Sequence, residues 1–494
     1  MLETKNTKLG LQAIKSFVDG AFLDVWSDET VEVTNPSNGQ LLMELPVGTQ
    51  QDVSVAVKSA RHAFQNGHWC KLPPSQRKAI MHRFADLIQT HASRLDRLDA
   101  IEMGKSISLR VFDASAAAGL TRFYAESIDK ITGDVLSSDC STFVTSKYFP
   151  RGVVAAITPW NFPTFNAVLK VAPALAAGNS VVLKPSELSS QSAIQLAMLA
   201  LEAGLPEGVF NVVPGLGATV GRALALDNDV DMVAFTGSTK VGKLMMRYAS
   251  ESNMKPVVAE CGGKSPHIIF NDGVDLDAAA ANAAQMILLN QGQVCSIGTR
   301  LLVQEGAEEL VVEKIVQHLE SVKPGDASDE SNNFGPLVSV VQRNRVLKTI
   351  QKAKDEGADL VCGGRAILAE SGGNFVEPTV FVNVDPYSDI AQQEIFGPVL
   401  SVISFKDTDD AIRLANATAY GLAAYIWSTN LSNAMRMGDE VRGGLVMING
   451  SAPSGEGPGH AFFCEPYGAS GVGVEGGMQG LKTYMRQQML WVNK

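Results

Sequence analysis

Glu260 and Cys295 are the side chains whose surroundings best equip them to do chemistry together. Glu260 closes the apolar run Val257–Val258–Ala259 and precedes Gly262–Gly263–Lys264. Cys295 stands in the polar, glycine-containing stretch Asn290–Gln291–Gly292–Gln293–Val294–Cys295–Ser296. A thiolate adds to a carbonyl carbon, and a carboxylate then activates the water that frees the product. The two residues are therefore the parts of a thiol-based acyl-transfer site. A buried structural thiol is the competing reading of Cys295, because free cysteine is among the most buried residues. Gln291, Gln293 and Ser296 beside it speak against that reading.

Such a pair needs rigid elements to hold it. Over residues 153–260 the apolar runs VVAAIT, SVVLKP, VFNVVPG, DMVAFTG and PVVAE alternate with the helical stretches TFNAVLKVAPALAAG, SSQSAIQLAMLALEAG and STKVGKLMMRYAS. Several of these helices end at a glycine suited to a C-cap. Buried runs alternating with amphipathic helices predict a doubly wound parallel sheet, which binds ligands, usually nucleotides, at the carboxyl ends of its strands. A second alternation (HIIF, RLLV, ADLVCGG, VLSVISF) follows over 266–451. Upstream, strand-like runs at 17–18, 32–33 and 41–45 flank the turn Asn35–Pro36–Ser37–Asn38–Gly39. Helical periodicity then covers 53–131, with Ile80, Phe84, Leu87 and Ile88 on one face. Residues 138–148, rich in Thr and Val, predict an extended ribbon outside the domain body. The fold class expected is α/β, with two doubly wound parallel-sheet domains plus a small β-ribbon.

At 494 residues the chain is too long for a single core. A net charge of −11 argues against a nucleic-acid partner. The six cysteines form no CxxC and no Cys/His ligand spacing, so they read as thiols of a reducing compartment. There is no HExxH, and no metal is expected. The polar N-terminal stretch lacks the apolar core of a signal peptide, and no run is long enough to span a membrane. A cytoplasmic protein is expected.

Two glycine patterns lie where strands meet helices. Gly215–Leu216–Gly217–Ala218–Thr219–Val220–Gly221 has one residue too many for a GxGxxG fingerprint and reads as a plain strand-to-helix turn or a degenerate phosphate loop. Gly237–Ser238–Thr239–Lys240–Val241–Gly242–Lys243 begins like a P-loop, yet Leu244 stands where the magnesium-binding hydroxyl belongs, which demotes an NTPase. What survives is a helix N-terminus able to hold a pyrophosphate.

Further stretches complete an ordered series: Thr158–Pro159–Trp160–Asn161–Phe162–Pro163, Lys184–Pro185–Ser186–Glu187, Phe235–Thr236–Gly237–Ser238–Thr239, Glu260–Cys261–Gly262–Gly263–Lys264–Ser265–Pro266, Asn290 to Ser296, and Glu394–Ile395–Phe396–Gly397–Pro398–Val399. Taken together, these motifs resemble those of the NAD(P)-dependent aldehyde dehydrogenase superfamily, in the family's order and over nearly the whole chain. The resemblance implies that Cys295 adds to an aldehyde, that the Asn161 amide and the Cys295 N–H form the oxyanion hole, and that Glu260 activates the hydrolytic water, with Lys170 on the proton path behind it. It implies NAD as cofactor in preference to NADP. Ile157, Thr158, Pro159 and Trp160 would line its site, and Lys184 and Glu187 would hold the adenosine ribose. Gly237 and Ser238 would flank the pyrophosphate, Glu394 would bind the nicotinamide ribose, and Phe396 would pack nearby. Domains of 1–136 with 151–261 (NAD-binding), 262–467 (catalytic) and 137–150 with 468–494 (oligomerisation) follow from it, in a homodimer or homotetramer bridged by the ribbon and the tail at 481–491.

The implied substrate tunnel takes in Phe162, Phe165, Asn166, Leu169, Val294, Ser296 and Ile297, a mixture that points to a functionalised semialdehyde or a substituted aromatic aldehyde. Two departures from the family pattern stand out. Cys261 replaces the usual leucine and is expected to be a packed hydrophobe. The common PFGGxKxSGxG segment becomes Pro466–Tyr467–Gly468–Ala469–Ser470–Gly471–Val472–Gly473, and the preceding stretch 451–460 is rebuilt. The alternatives are a coenzyme A-acylating semialdehyde dehydrogenase, which retention of Glu260 disfavours, and an inactive binding protein with the same fold.

Overall fold

Strands with no exposed face belong inside sheets that helices cover on both sides, and Val153–Ile157, Ser180–Lys184 and Ala423–Trp427 are buried throughout. The computed structural model describes residue 11, residues 14–450 and residues 460–493. The N-terminal decapeptide and most of the rebuilt stretch, 451–459, lie outside the described residues. Two large sheets form. The first runs Ala21–Leu23, Ser16–Val18, Phe210–Val212, Ser180–Lys184, Val153–Ile157, Met232–Thr236, Val257–Glu260, Gly471–Val472. Its inner strands are parallel. The chain winds outward from Val153–Ile157 to Phe210–Val212, then returns to the other side for Met232–Thr236. That reversal opens a crevice at the carboxyl ends of Val153–Ile157 and Met232–Thr236.

The second sheet runs Asp359–Cys362, Thr379–Val382, Val399–Phe405, Arg300–Gln304, Pro266–Ile269, Ala423–Trp427, Leu445–Ile448, parallel except at Asp359–Cys362. The expected doubly wound α/β class is the one observed. The chain crosses between the sheets from Glu260 to Pro266, and Cys295 lies just upstream of Arg300–Gln304, the strand beside Pro266–Ile269. Both chemical side chains thus sit where the two sheets adjoin.

The helical stretch expected over 53–131 divides at backbone signals. Gln50–Asn66 starts from a Thr49/Asp52 capping box and ends at Gly67 in the left-handed conformation. Pro74–Thr90, Ala92–Met103 and Ala114–Ser127 follow, with Gly104 closing Ala92–Met103. The ribbon begins later than residues 138–148 suggested: Thr142–Pro150 pairs with Met485–Asn493 in unbroken antiparallel register. Only that last strand of 468–494 belongs to the ribbon. Gly471–Val472 instead extends the first sheet, and Gly477–Thr483 forms a short helix.

Buried Asn179 joins these parts. Its Oδ1 accepts from Gly152 N (2.9 Å), and its Nδ2 donates to the carbonyls of Ala174 (3.0 Å) and Tyr484 (3.0 Å). Asn179→Ala would remove all three hydrogen bonds and leave buried Gly152 N without this acceptor, while the Ala174 carbonyl keeps the Asn179 backbone N–H. We expect a loss of about 3 kcal/mol, measured as a lowered urea midpoint at unchanged slope.

Candidate active site

The turn leading to Cys295 is strained. Asn290 and Gln291 adopt φ of 48° and 55°, where non-glycine residues seldom sit, and Gly292 follows at 71°. A Cβ on Gly292 would lie 2.1 Å from the Gly397 carbonyl oxygen, so only glycine fits. Hydrogen bonds hold the turn. Asn290 Nδ2 donates to the Asn161 carbonyl (2.8 Å), Asn161 Nδ2 to the Gln293 carbonyl (2.9 Å), and Val338 N to Gln293 Oε1 (3.0 Å). Downstream, the Tyr425 hydroxyl donates to the Ser296 carbonyl (3.1 Å). Cys295 is therefore pinned from both sides, and the buried Asn161 amide belongs to the same network. Burial pushes the Cys295 thiol up to about 12, and the charges of Glu394 and Glu260 add to the effect.

Glu260 ends its strand buried, with Oε1 lacking a hydrogen-bond partner. Burial raises its pKa well above the carboxylate range, Glu475 raises it further, and Lys170 works against both. Lys170 Nζ lies 2.6 Å from Glu475 Oε1, with both side chains buried. The sequence reading named Lys170 but missed Glu475. A lone carboxylate within Val474–Glu475–Gly476–Gly477, where no solvated face is expected, was the available signal. Ser470 locks the edge strand beside Glu260: its carbonyl accepts from Cys261 N (2.8 Å) and its Oγ donates to the Gly262 carbonyl (2.8 Å). Cys261 is buried in the core on the first sheet, as a packed hydrophobe would be.

A cavity of about 710 Å³ brings the candidates together. Asn161, Glu260 and Cys295 line it, as do Pro159, Trp160, Gly237, Ser238, Glu394 and Phe396. The predicted tunnel residues Phe162, Phe165, Asn166, Leu169, Val294, Ser296 and Ile297 line it as well. Ile157, Thr158, Lys170, Lys184 and Glu187 are not in the lining. Lys170 reaches it through Glu475. Thr158 N bonds the Lys184 carbonyl (3.1 Å), and buried Lys184 Nζ stands 3.5 Å from Glu187 Oε2. Phe112 and Tyr425 line the cavity too, and neither was anticipated.

Comparison with known proteins decides the family. The sequence model described as the aldehyde dehydrogenase family matches residues 23–490. The chain is 40% identical to the NADP/NAD-dependent aldehyde dehydrogenase PuuC of Escherichia coli (strain K12), over 97% of its own length and 95% of the relative's. Its structure superposes on the aldehyde dehydrogenase KauB from Pseudomonas aeruginosa with a TM-score of 0.95 at 44% identity, covering 99% and 98% of the two chains. The score is also 0.95 against an indole-3-acetaldehyde dehydrogenase solved with NAD+, at 43% identity over 99% and 98% of the chains. The chain belongs to the aldehyde dehydrogenase family.

In this aldehyde dehydrogenase the crevice of the first sheet suits a nicotinamide dinucleotide. Ser238 caps the helix Thr239–Glu251, and the N–H groups of a helix's first turn are suited to an anion. A Cβ on Gly237 would meet the Phe235 ring at 2.6 Å, so the approach to that helix stays bare. Leu244 packs against the apolar core, which leaves no hydroxyl for a P-loop metal. The Glu394 carboxylate accepts from Gly263 N (3.2 Å), and burial raises it to about 7. Its loop is held by the helix Val340–Asp355: Gln342 Nε2 donates to the Phe396 carbonyl (2.8 Å) and Arg345 Nη2 to the Glu394 carbonyl (3.1 Å). Phe396, at φ 58°, meets Trp160 edge-to-face at 5.2 Å. Sequence reading missed Gln342 and Arg345, which sit on a helix that reads as polar surface.

A thiol held so high is protonated near neutrality. Iodoacetamide should therefore alkylate Cys295 about tenfold faster per pH unit from 7 to 9, without a plateau. Glu394→Gln removes a nearby negative charge and lowers the thiol pKa, so alkylation at pH 8 should quicken about threefold. Mass spectrometry of the Cys295 peptide measures both.

Proposed function

We propose that this enzyme oxidises a bulky aromatic aldehyde to the carboxylic acid, with NAD preferred over NADP. The observation that carries the reading is the meeting of Cys295, Asn161 and Glu260 in one cavity that continues into the crevice beside Gly237 and Ser238. Cys295 Sγ adds to the aldehyde carbon, and its proton leaves to water or to a neighbouring carboxylate. The Asn161 amide and the Cys295 N–H stabilise the oxyanion of the thiohemiacetal. When bound, nicotinamide dinucleotide supplies the acceptor for the hydride that departs from that carbon. Glu260 then takes a proton from water, and the resulting hydroxide cleaves the thioester on Cys295. The buried Lys170–Glu475 pair beside Glu260 offers the proton a route outward. Transfer to coenzyme A would leave Glu260 without a task.

The substrate class rests on what lines the cavity. Phe112, Phe162, Phe165 and Tyr425 provide aromatic walls, while Asn166, Asn282 and Ser296 offer polar contacts for a ring substituent. A semialdehyde carboxylate would need a cation. Among the described residues, the basic side chains in the lining are Arg345, bonded to the Glu394 loop, and His460, whose pKa burial lowers. The similar indole-3-acetaldehyde dehydrogenase is named for an aryl substrate. Glu187 beside Lys184 supports NAD, since a carboxylate accepts from a ribose 2′-OH and repels a 2′-phosphate. The ribbon exposes Phe143 and Leu490 on one face and Met489 and Trp491 on the other, apolar surface suited to a second copy of the chain in a homodimer or homotetramer.

An aldehyde panel followed by nicotinamide reduction tests the reading. Aryl aldehydes should give the highest kcat/KM, and Cys295→Ala should abolish reduction with every aldehyde; undiminished activity in that variant overturns the mechanism. Glu260→Gln should retain a burst of one reduced nicotinamide per site and then turn over on the order of 10²- to 10⁴-fold more slowly. Glu187→Ser should shift relative use towards NADP. The acid limb of kcat should lie above the ordinary carboxylate range. Glu475→Gln should move that limb to lower pH, because it removes a charge that raises Glu260.

A further inference from the structure

One helix reaches three others that lead away from the site. Asp96, Asp99 and Glu102 lie three residues apart along Ala92–Met103, so they share a face. All are buried, at 5%, 0% and 1% exposure, where carboxylates are rare unless partnered. Each accepts from the N-terminal backbone of a different helix. Asp96 Oδ1 accepts from Ala114 N (2.9 Å), at the start of Ala114–Ser127. Asp99 Oδ2 accepts from Thr164 N (3.2 Å), the first N–H of Pro163–Ala177 after its leading proline. Glu102 accepts from Ser190 N (3.3 Å) and Gln191 N (3.1 Å), at the start of Gln191–Glu202. Phe162 and Ser190, the N-cap residues of the latter two helices, contribute no side-chain cap of their own. Buried Lys105 supplies countercharge to Asp96 and Asp99.

The lead-in to each capped helix carries part of the site. Phe112, strained at φ 49°, precedes the first and packs on Phe162 (5.2 Å) and Phe165 (4.9 Å). Asn161 and Phe162 precede the second. Lys184 and Glu187 precede the third. We infer that Ala92–Met103 is a shared anchor whose carboxylates position three separate functions: Asp96 the substrate wall, Asp99 the oxyanion amide, and Glu102 the cofactor ribose loop. None of the three touches substrate or cofactor; each acts through the helix end it caps. A helix N-terminus carries partial positive charge, so a buried carboxylate fixes its direction as well as satisfying its N–H groups. The inference rests on the roles proposed above for Asn161, Lys184 and Glu187.

The test is a kcat-against-KM split among Asp96→Ala, Asp99→Ala and Glu102→Ala, with active sites counted by the burst of reduced nicotinamide. Asp99→Ala should lower kcat per active site about tenfold with both KM values near wild type, the effect of a displaced oxyanion donor. Glu102→Ala should raise KM for NAD about tenfold, weaken NAD binding measured by fluorescence, and leave kcat unchanged. Asp96→Ala should raise KM for the aldehyde alone. Asp96→Asn, Asp99→Asn and Glu102→Gln keep an acceptor oxygen and should recover most of each loss; where an alanine variant does not fold, these show the same split at two- to threefold. If all variants lose activity only in proportion to their active fraction, with KM values unmoved, the helix is scaffold and the inference falls. A wild-type enzyme that neither binds NAD nor oxidises aldehydes overturns the functional reading and the inference together.

Discussion

The site depends most on one buried ion pair, Lys170 with Glu475 at 2.6 Å. Either charge alone in that environment would be costly, by about 3–5 kcal/mol when one partner of such a pair is removed. Glu260 adds a third ionisable group beside them; burial does most to raise its proton affinity, Glu475 raises it further and Lys170 opposes both. The pair also fixes topology. Lys170 lies on the helix Pro163–Ala177, and Glu475 follows the strand Gly471–Val472 that pairs with Val257–Glu260. One contact therefore aligns the helix behind Asn161 with the edge beside Glu260.

Around this pair the site is assembled from loops held away from their relaxed shapes. Asn290, Gln291, Phe396 and Phe112 all occupy the left-handed region, at a cost of order 1–3 kcal/mol each. Dense hydrogen bonding offsets it. Asn161 and Gln293 brace the turn before Cys295, Gln342 and Arg345 brace the loop bearing Glu394, and Gly292 lets the two loops touch. Shape is thus fixed before any ligand arrives, as electrostatic catalysis requires.

Much of this was legible in the sequence, for a physical reason. Fully buried parallel strands such as VVAAI and SVVLK announce themselves because neither face can be polar. Glu260, Asn161 and Cys295 stood out as polar groups in places where burial demands a purpose. Thr379–Val382, Ala423–Trp427 and Leu445–Ile448 escaped because short apolar runs carry no periodicity that separates strand from buried helix. Gln342 and Arg345 bond backbone carbonyls rather than motif partners, so nothing in the sequence near them signals their work. Asp96, Asp99 and Glu102 have ordinary helical spacing, and only their burial tells them apart from a solvated acidic face. The ribbon's end points shifted because its register follows the partner strand, distant in sequence.

The last strand of the first sheet has a consequence for how the molecule is made. Val257–Glu260 pairs on one side with Met232–Thr236 and on the other with Gly471–Val472. During synthesis the five parallel strands emerge long before that closing segment, so the edge bearing Glu260 leaves the ribosome unpaired. An open parallel edge is a template for wrong partners. The nascent enzyme must keep it guarded until almost the whole chain has been translated, and a truncation near the C-terminus would remove its cover as well as Glu475.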